Sequence, residues 1–172
     1  MKLLATLALT SLVASAALAQ SMWLVGPSQV SGINGKLVGS PSVLQYAEGK
    51  MAELYMSGGS DKGYFGIDAT FAAPIVPAKS FVIVLNAMTK SDAVFDHFEA
   101  FDFTSKSWIE IGATSPNAGR PSLSDNPSLV STQLPTWRFT YPATGEVWTR
   151  AIWVGMGDSV VYVDQLALIY YR

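Results

Sequence analysis

The residues that could carry chemistry in this chain are few, and their types narrow the choice of function. The 172 residues include 0 cysteines and a single histidine, His97. Thiol catalysis, thiolate metal sites and multi-histidine metal centres are therefore excluded. A Ser-His-Asp triad would have to use His97, which lies in a predicted strand without a nucleophile pattern such as G-x-S-x-G.

Carboxylates are more numerous, and glycoside hydrolysis needs two of them at a fixed separation. The candidates are Glu99, Asp102, Glu110 and Glu146. A hairpin would place Glu99 or Asp102 opposite Glu110, but no known catalytic sequence motif surrounds any of these pairs. Surface solubility also accounts for these residues. We therefore predict a protein that is not an enzyme, with a small glycosidase or polysaccharide lyase as the less favoured reading.

Aromatic residues offer recognition instead of bond breaking. Sugars bind aromatic rings through their apolar faces, while a few polar groups fix their hydroxyls. Trp137 is the favoured surface residue, because it follows a long segment rich in proline and serine. The aromatic candidates are Tyr64, Trp108, Trp137, Trp148 and Trp153, and the polar candidates are Asp61, Asn117, Arg120, Asp125 and Asn126. For each tryptophan, packing in the core is the alternative.

The elements that must position these residues have the patterns of β-strands. Residues 64–71 alternate between apolar and polar, as in a half-buried strand, and residues 81–85 are apolar on both sides, as in a central strand. Turn signals recur every 8–12 residues or so, and no convincing amphipathic helix is present. We predict an all-β fold: an antiparallel β-sandwich of about eight to ten strands.

Two hairpins are predicted within this sandwich. One joins residues 93–103 to 108–111, and the other joins 148–156 to 160–171. If residues 160–171 alternate regularly along one strand, the side chains on both of its faces are largely apolar. This pattern predicts a central strand that is covered on both sides. Short strands are also predicted at residues 137–141 and within 128–134. Residues 43–56 remain open between two strands and a helix.

The N-terminal residues and the net charge indicate where the protein is located and which partners it can bind. Residues 1–19 have a positive start, an apolar run and Ala17-Leu18-Ala19, the pattern of a cleaved signal peptide. A buried N-terminal helix is the alternative. We expect one domain over residues 20–172, secreted to an extracellular or periplasmic location, with no membrane span. The formal net charge is −2 without a basic run, so nucleic acid and anionic membranes are disfavoured as partners.

Two stretches of the sequence have familiar patterns. Residues 101–112, Phe-Asp-Phe-Thr-Ser-Lys-Ser-Trp-Ile-Glu-Ile-Gly, contain an aromatic strand that turns into a tryptophan-led strand, and residues 161–168 read Val-Tyr-Val-Asp-Gln-Leu-Ala-Leu. The first resembles a hairpin, and the second the last strand, of galactose-binding-like jelly-roll domains of the carbohydrate-binding-module type. The resemblance implies jelly-roll topology.

The resemblance also implies a metal site. In many such modules the aspartate of the last strand helps to hold a structural calcium ion, with backbone carbonyls from the N-terminal segment. That position is Asp164 here. Asp68 is a speculative second ligand, because it too lies on an otherwise apolar strand. The alternative is a hydrogen-bonded Asp164 without an ion, since calcium needs several oxygen ligands.

The sequence therefore predicts a secreted, non-catalytic module that binds carbohydrate, or is lectin-like, through exposed aromatic side chains. Its partner would be a polysaccharide or a cell-surface glycan. A structural or adhesive extracellular domain without a small-molecule ligand stays open as the alternative. The predicted ligand-binding residues are Trp137, Trp108, Tyr64, Arg120 and Asn117, and the predicted metal ligand is Asp164.

Overall fold

The computed structural model describes residues 22–46, 49–58, 61–73, 77–90, 92–112 and 129–171. The predicted signal peptide, residues 1–19, lies outside these ranges. Within them the chain forms twelve strands, a 3-10 helix at Pro41–Leu44 and a short helix α1 at Thr136–Phe139. The strands are β1 (Met22–Val25), β2 (Gln29–Ile33), β3 (Gly35–Val38), β4 (Ala52–Met56), β5 (Gly63–Phe71), β6 (Ser80–Lys90), β7 (Val94–Asp102), β8 (Ser107–Gly112), β9 (Leu129–Val130), β10 (Leu134–Pro135), β11 (Val147–Gly155) and β12 (Val160–Tyr171).

The strands form two antiparallel sheets. The seven-stranded sheet has the order β10-β6-β12-β4-β3, with β1 paired to β12 and β9 to β6. The five-stranded sheet has the order β2-β5-β11-β7-β8. The chain passes repeatedly from one sheet to the other, at each step from β4 to β7 and again from β8 to β9, from β10 to β11 and from β11 to β12. This is a jelly-roll arrangement. The predicted antiparallel β-sandwich is confirmed. The described residues form more strands than predicted, partly because β9 and β10 have two residues each.

The core lies between the sheets, because alternate residues of each strand point inward. On β5 these are Phe65, Ile67 and Phe71, and on β11 they include Trp153, all of them buried. Burying one such side chain is worth roughly 1.5–3 kcal/mol. The intervening residues of β5 and β11 therefore point away from the core and form the outer face of the five-stranded sheet.

Strand β12 is central, as predicted, but it carries a bulge at Asp164. Its register on β6 passes from Val163 opposite Ala87 to Gln165 opposite Asn86. The extra residue changes the alternation, so Val163 and Leu166 both contribute to the core. The single alternation predicted along the whole strand is therefore wrong beyond the bulge.

The predicted C-terminal hairpin is also wrong. β11 pairs with β5 and β7, whereas β12 pairs with β6, β4 and β1. The turn at residues 157–159 carries the chain from one sheet to the other. The Ser159 Oγ accepts the Met156 N–H at 2.8 Å, and the Ser159 N–H donates to the Met156 carbonyl at 2.8 Å. The other predicted hairpin, β7–β8, is confirmed.

The strand predicted at residues 137–141 is wrong, because residues 137–139 belong to the helix α1 and residues 140 and 141 are in neither a helix nor a strand. The Thr140 N–H donates to the Thr136 carbonyl at 2.9 Å, which closes the turn of α1. The Thr136 Oγ1 donates to the Ala78 carbonyl at 2.8 Å and anchors the turn to the segment before β6. These tertiary contacts override the strand propensity of the local residues.

Two open predictions are also resolved. Residues 43–56 contain the end of the 3-10 helix and strand β4. In place of the one strand predicted over residues 128–134, two strands of two residues each are present, β9 and β10. Among the described residues, no helix combines the length and the hydrophobicity needed to span a membrane.

Candidate functional site

The outer face of the five-stranded sheet brings together several of the candidate residues. Trp148 and Arg150 of β11 lie opposite Thr70 and Asp68 of β5. On the other side, Arg150 lies opposite Glu99 of β7. Since the alternate residues of β11 are buried in the core, Trp148 and Arg150 point outward. The middle strand of the sheet thus supplies both an indole ring and a guanidinium group to one surface.

Five rings pack together at one end of this face, and we call them the aromatic cluster. The Trp148 ring lies 5.4 Å from that of Phe101, 4.9 Å from that of Phe103 and 5.7 Å from that of Tyr141, between centroids. Phe101 also meets Trp108 edge to face at 5.4 Å. Each such pair is worth about 0.5–1.5 kcal/mol beyond the area that it buries. The cluster therefore holds both tryptophans of this face in place.

Arg150 joins the aromatic cluster to a carboxylate. Its guanidinium carbon lies 4.2 Å from the centroid of the Trp108 ring. Its Nε donates to Asp68 Oδ1 at 2.8 Å and its Nη2 to Asp68 Oδ2 at 3.5 Å. Its Nη1 lies 4.0 Å from Glu99 Oε2. Stacking and two-point pairing fix the orientation of the guanidinium plane, so Arg150 can present further N–H groups to an acceptor in a defined direction.

A groove of about 260 Å³ opens on this surface. Indole rings form one part of its lining, and amide, hydroxyl and carboxylate groups form another. The aromatic and polar side chains of this lining include Gln29, Ser31, Asp68, Thr70, Trp108 and Trp148. An apolar platform beside a few oriented polar groups is the combination that sugar recognition requires.

The structure places the predicted aromatic platforms in different environments. Trp108 and Trp148 line one groove. Trp137, on α1, is 74% exposed, as expected of a surface residue, and a role in sugar binding stays a prediction. Tyr64 is 60% exposed on the outer face of the five-stranded sheet, at the opposite end from the groove. Trp153 is wrong as a platform, because it is 1% exposed and packs against core residues.

The predicted polar residues are mostly outside the described ranges. Asn117, Arg120, Asp125 and Asn126 all lie there, so their roles in binding stay predictions. Asp61 is described and is exposed in the loop before β5.

Glu99 and Glu110 lie directly opposite each other on β7 and β8, as the hairpin predicts. Glu99 Oε1 is 3.7 Å from His97 Nε2, and the other ring nitrogen of His97 contacts Asp96 Oδ2 at 2.7 Å. These groups form a line of polar contacts along β7 beside Arg150.

Asp102 is buried behind the aromatic cluster and holds the β7–β8 turn. Its Oδ1 accepts the Thr104 N–H at 2.8 Å, and its Oδ2 accepts the Ser105 hydroxyl at 2.8 Å and the Arg138 Nε at 2.7 Å. Burial acts to raise the pKa of Asp102, but the hydrogen bonds from Arg138, Ser105 and Thr104 outweigh it and lower the pKa to about 2. Asp102 is therefore a structural carboxylate that ties α1 to the turn.

Asp164 anchors the segment before β4. Its Oδ1 accepts the Gly49 N–H at 3.0 Å. Asp68 belongs to the other sheet and pairs with Arg150, so its assignment as a second calcium ligand beside Asp164 is wrong. Across the described part of the chain, no three or more His, Cys, Asp or Glu residues are grouped so that they could hold a metal ion. A calcium site at Asp164 stays a prediction.

Sequence reasoning missed Arg150, the residue that organises the groove. A signal for it exists, because Arg150 is a lone cation within an otherwise apolar strand, as Asp68 is a lone anion in β5. Two opposite charges, each unexplained in its own strand, indicate a pair once the strands are known to be neighbours.

Comparison with known proteins adds little to this geometry. No family model matches the chain, and no curated protein matches it. Among solved structures, the chain is similar to TmCBM61, a carbohydrate-binding module in complex with β-1,4-galactotriose. The two share 13% of their residues over 84% of this chain and 88% of that one, with a TM-score of 0.46. The jelly-roll β-sandwich that the sequence resemblance implies is present in the structure itself.

Proposed function

We propose that the protein is a carbohydrate-binding module whose site is the groove on the outer face of the five-stranded sheet. The observation that carries this proposal is the meeting of Trp108 and Trp148 in one groove, beside the Asp68–Arg150 pair. The apolar face of a sugar ring packs on an indole, and its hydroxyls exchange hydrogen bonds with oriented side chains at the edge.

The charges around the groove favour an uncharged ligand. Arg150 lies between two carboxylates, those of Asp68 and Glu99. An anionic ligand would compete with these carboxylates for Arg150, and a cationic ligand would compete with Arg150 for the carboxylates. Either would leave one charged side chain unpaired. A sugar hydroxyl both donates and accepts, so it can bond to Asp68 and Arg150 without separating them. We therefore infer that the ligand is a neutral polysaccharide or glycan.

The same arrangement favours binding over catalysis. Asp68 is engaged by Arg150, and Asp102 is buried under the turn. Glu99 and Glu110 are direct cross-strand neighbours, whose β-carbons lie about 4.5–5.5 Å apart on one face of the sheet. Neither residue is part of the groove lining, so this pair does not flank a sugar bound in the groove. A secreted, non-catalytic role is in keeping with these contacts and with the signal-peptide pattern of residues 1–19.

The test is binding to a panel of neutral polysaccharides, namely β-glucan, galactan, mannan and xylan, with anionic polygalacturonate for comparison. We expect retention on at least one neutral polymer and a loss of roughly tenfold or more in affinity for Trp148→Ala. The matched control is Trp137→Ala, which removes an exposed indole from α1.

Three outcomes would overturn the proposal. Retention on none of the polymers would favour the structural or adhesive alternative. Loss of binding in Trp137→Ala with full binding in Trp148→Ala would move the site to α1. Release of reducing sugar from any polymer would indicate an enzyme.

A further inference from the structure

The outer face of the five-stranded sheet carries a second cleft, at the far end of β11 from the groove. Its volume is about 460 Å³. Tyr64 and Val94 contribute exposed apolar surface to it, with 60% and 54% of their area open to solvent. Val154 lies between them in the sheet, and Lys62, Asp92 and Asp96 supply charged groups. Like the groove, this cleft sets a ring beside polar side chains.

One strand connects the two depressions. Trp148 and Val154 point outward from the same side of β11, and they line the groove and the cleft respectively. They are six positions apart, which corresponds to about 20 Å along a strand. The groove and the cleft therefore lie in line, and the side chains of Arg150 and Ile152 lie between them.

A glycine and a buried isoleucine lie between the two depressions. Gly66 of β5 lies opposite Ile152 of β11. A Cβ at Gly66 would lie 2.8 Å from the Ile152 Cδ1, so the isoleucine occupies the space that a side chain at residue 66 would need. Ile152 itself is buried. Neither of these two residues therefore projects a side chain between the groove and the cleft.

We propose that the groove and the second cleft form one continuous surface for an extended, uncharged polysaccharide chain that runs along β5 and β11. This inference rests on the proposed function and adds the form of the ligand to it. The indoles of the groove and the phenol ring of Tyr64 pack against sugar rings at the two ends. A monosaccharide or disaccharide fills one depression only, so the full surface is used by a chain several sugars long.

The experiment is a calorimetric titration with β-1,4-linked gluco-, galacto- and manno-oligosaccharides, each from the disaccharide to the octasaccharide. We expect affinity to rise with length until the chain covers both depressions, and then to level off. In Tyr64→Ala, affinity for the octasaccharide should fall roughly tenfold, whereas affinity for the shortest oligosaccharide that binds should not change. In Trp148→Ala, affinity should fall at every length.

The matched control is Tyr46→Ala, which removes another exposed tyrosine, after the 3-10 helix that contacts β12 of the other sheet. It should bind every length as the wild type does, and melting curves should show that both tyrosine variants are folded. If wild-type affinity does not rise beyond the trisaccharide, or if Tyr64→Ala weakens short and long ligands equally or neither, the inference fails while the proposed function stands. If the wild type binds none of the three series and none of the polymers above, both fail.

Discussion

The guanidinium of Arg150 lies 4.2 Å from the Trp108 ring, although the two residues belong to strands that are not neighbours. Strand β7 runs between β11 and β8, so the Trp108 side chain leans across it to reach Arg150. The same guanidinium is bound to Asp68 on β5. One cation thereby links residues from three of the five strands and contacts two side chains of the groove lining, Asp68 and Trp108.

Arg150→Lys should therefore weaken polysaccharide binding although it conserves the charge. A lysine ammonium cannot make the two-point contact with Asp68, and it stacks less well on Trp108. We expect a roughly tenfold loss of affinity, measured by titration, with a similar loss for Arg150→Gln. Wild-type affinity in the lysine variant would show that only the charge matters.

Trp153→Ala and Trp137→Ala should differ sharply in stability. Trp153 is 1% exposed in the core, so its truncation should lower the free energy of unfolding by about 3–5 kcal/mol. Trp137 is 74% exposed, so its truncation should change that free energy by less than about 0.5 kcal/mol. Urea unfolding of the two variants beside the wild type measures both values. Equal losses would contradict the assignment of one indole to the core and the other to the surface.

Asp102 should make stability depend on pH in the acid range. Its folded-state pKa is about 2, below the ordinary value of 3.8. The ionised carboxylate therefore stabilises the fold above about pH 4, and this contribution is lost as the pH falls from about 4 to about 2. Melting temperatures should be measured from neutral pH to about pH 2. We expect Asp102→Asn to be clearly less stable than the wild type at neutral pH, and the difference to shrink as the pH falls.

Arg138→Gln is the partner variant for this test, because it removes the Nε donor to Asp102. Its stability deficit should shrink over the same pH interval. A deficit that stays constant from neutral pH to about pH 2 in both variants would contradict the role of the Asp102 carboxylate.

Tyr170→Phe should stabilise the protein. The Tyr170 hydroxyl is buried and has no hydrogen-bond partner among the described residues, and burial raises the pKa of the phenol. Removing an unsatisfied buried hydroxyl recovers its desolvation cost, about 1 kcal/mol, while the ring keeps its contact with Phe81. Calorimetry should show a melting temperature higher by about 2–4 °C. A lower melting temperature would indicate that the hydroxyl is hydrogen-bonded.

The two hairpin predictions explain how far local sequence specifies this fold. β7 and β8 pair as predicted, with Phe101 opposite Trp108 across a four-residue turn. The turn before β12 predicts an equally good reversal, but β11 and β12 enter different sheets. A turn sequence encodes the change of direction of the chain. The hydrogen-bonding partners of a strand depend instead on the other strands of each sheet, which come from distant parts of the chain. That information is distributed over the chain.

The site shows the same limit. Trp148 and Trp153 are five residues apart on one strand, so alternation alone places them on opposite faces. Which face of β11 is buried depends on the sheet that packs against it. The sequence alone therefore leaves both tryptophans as candidate platforms for a sugar ring. The meeting of Trp108 with Trp148 and the Asp68–Arg150 pair both depend on strand register between distant segments, which no local pattern contains.

The passage of the chain from one sheet to the other after β11 also bears on how the binding surface forms. Both neighbours of β11 come from much earlier in the sequence, so it gains its hydrogen bonds only through long-range loop closure, which is slow in proteins of high contact order. Trp148 and Arg150 reach their positions only when that closure is complete. During refolding, recovery of ligand binding should therefore coincide with the final cooperative phase, since a half-assembled sandwich has no central strand on which to build the groove.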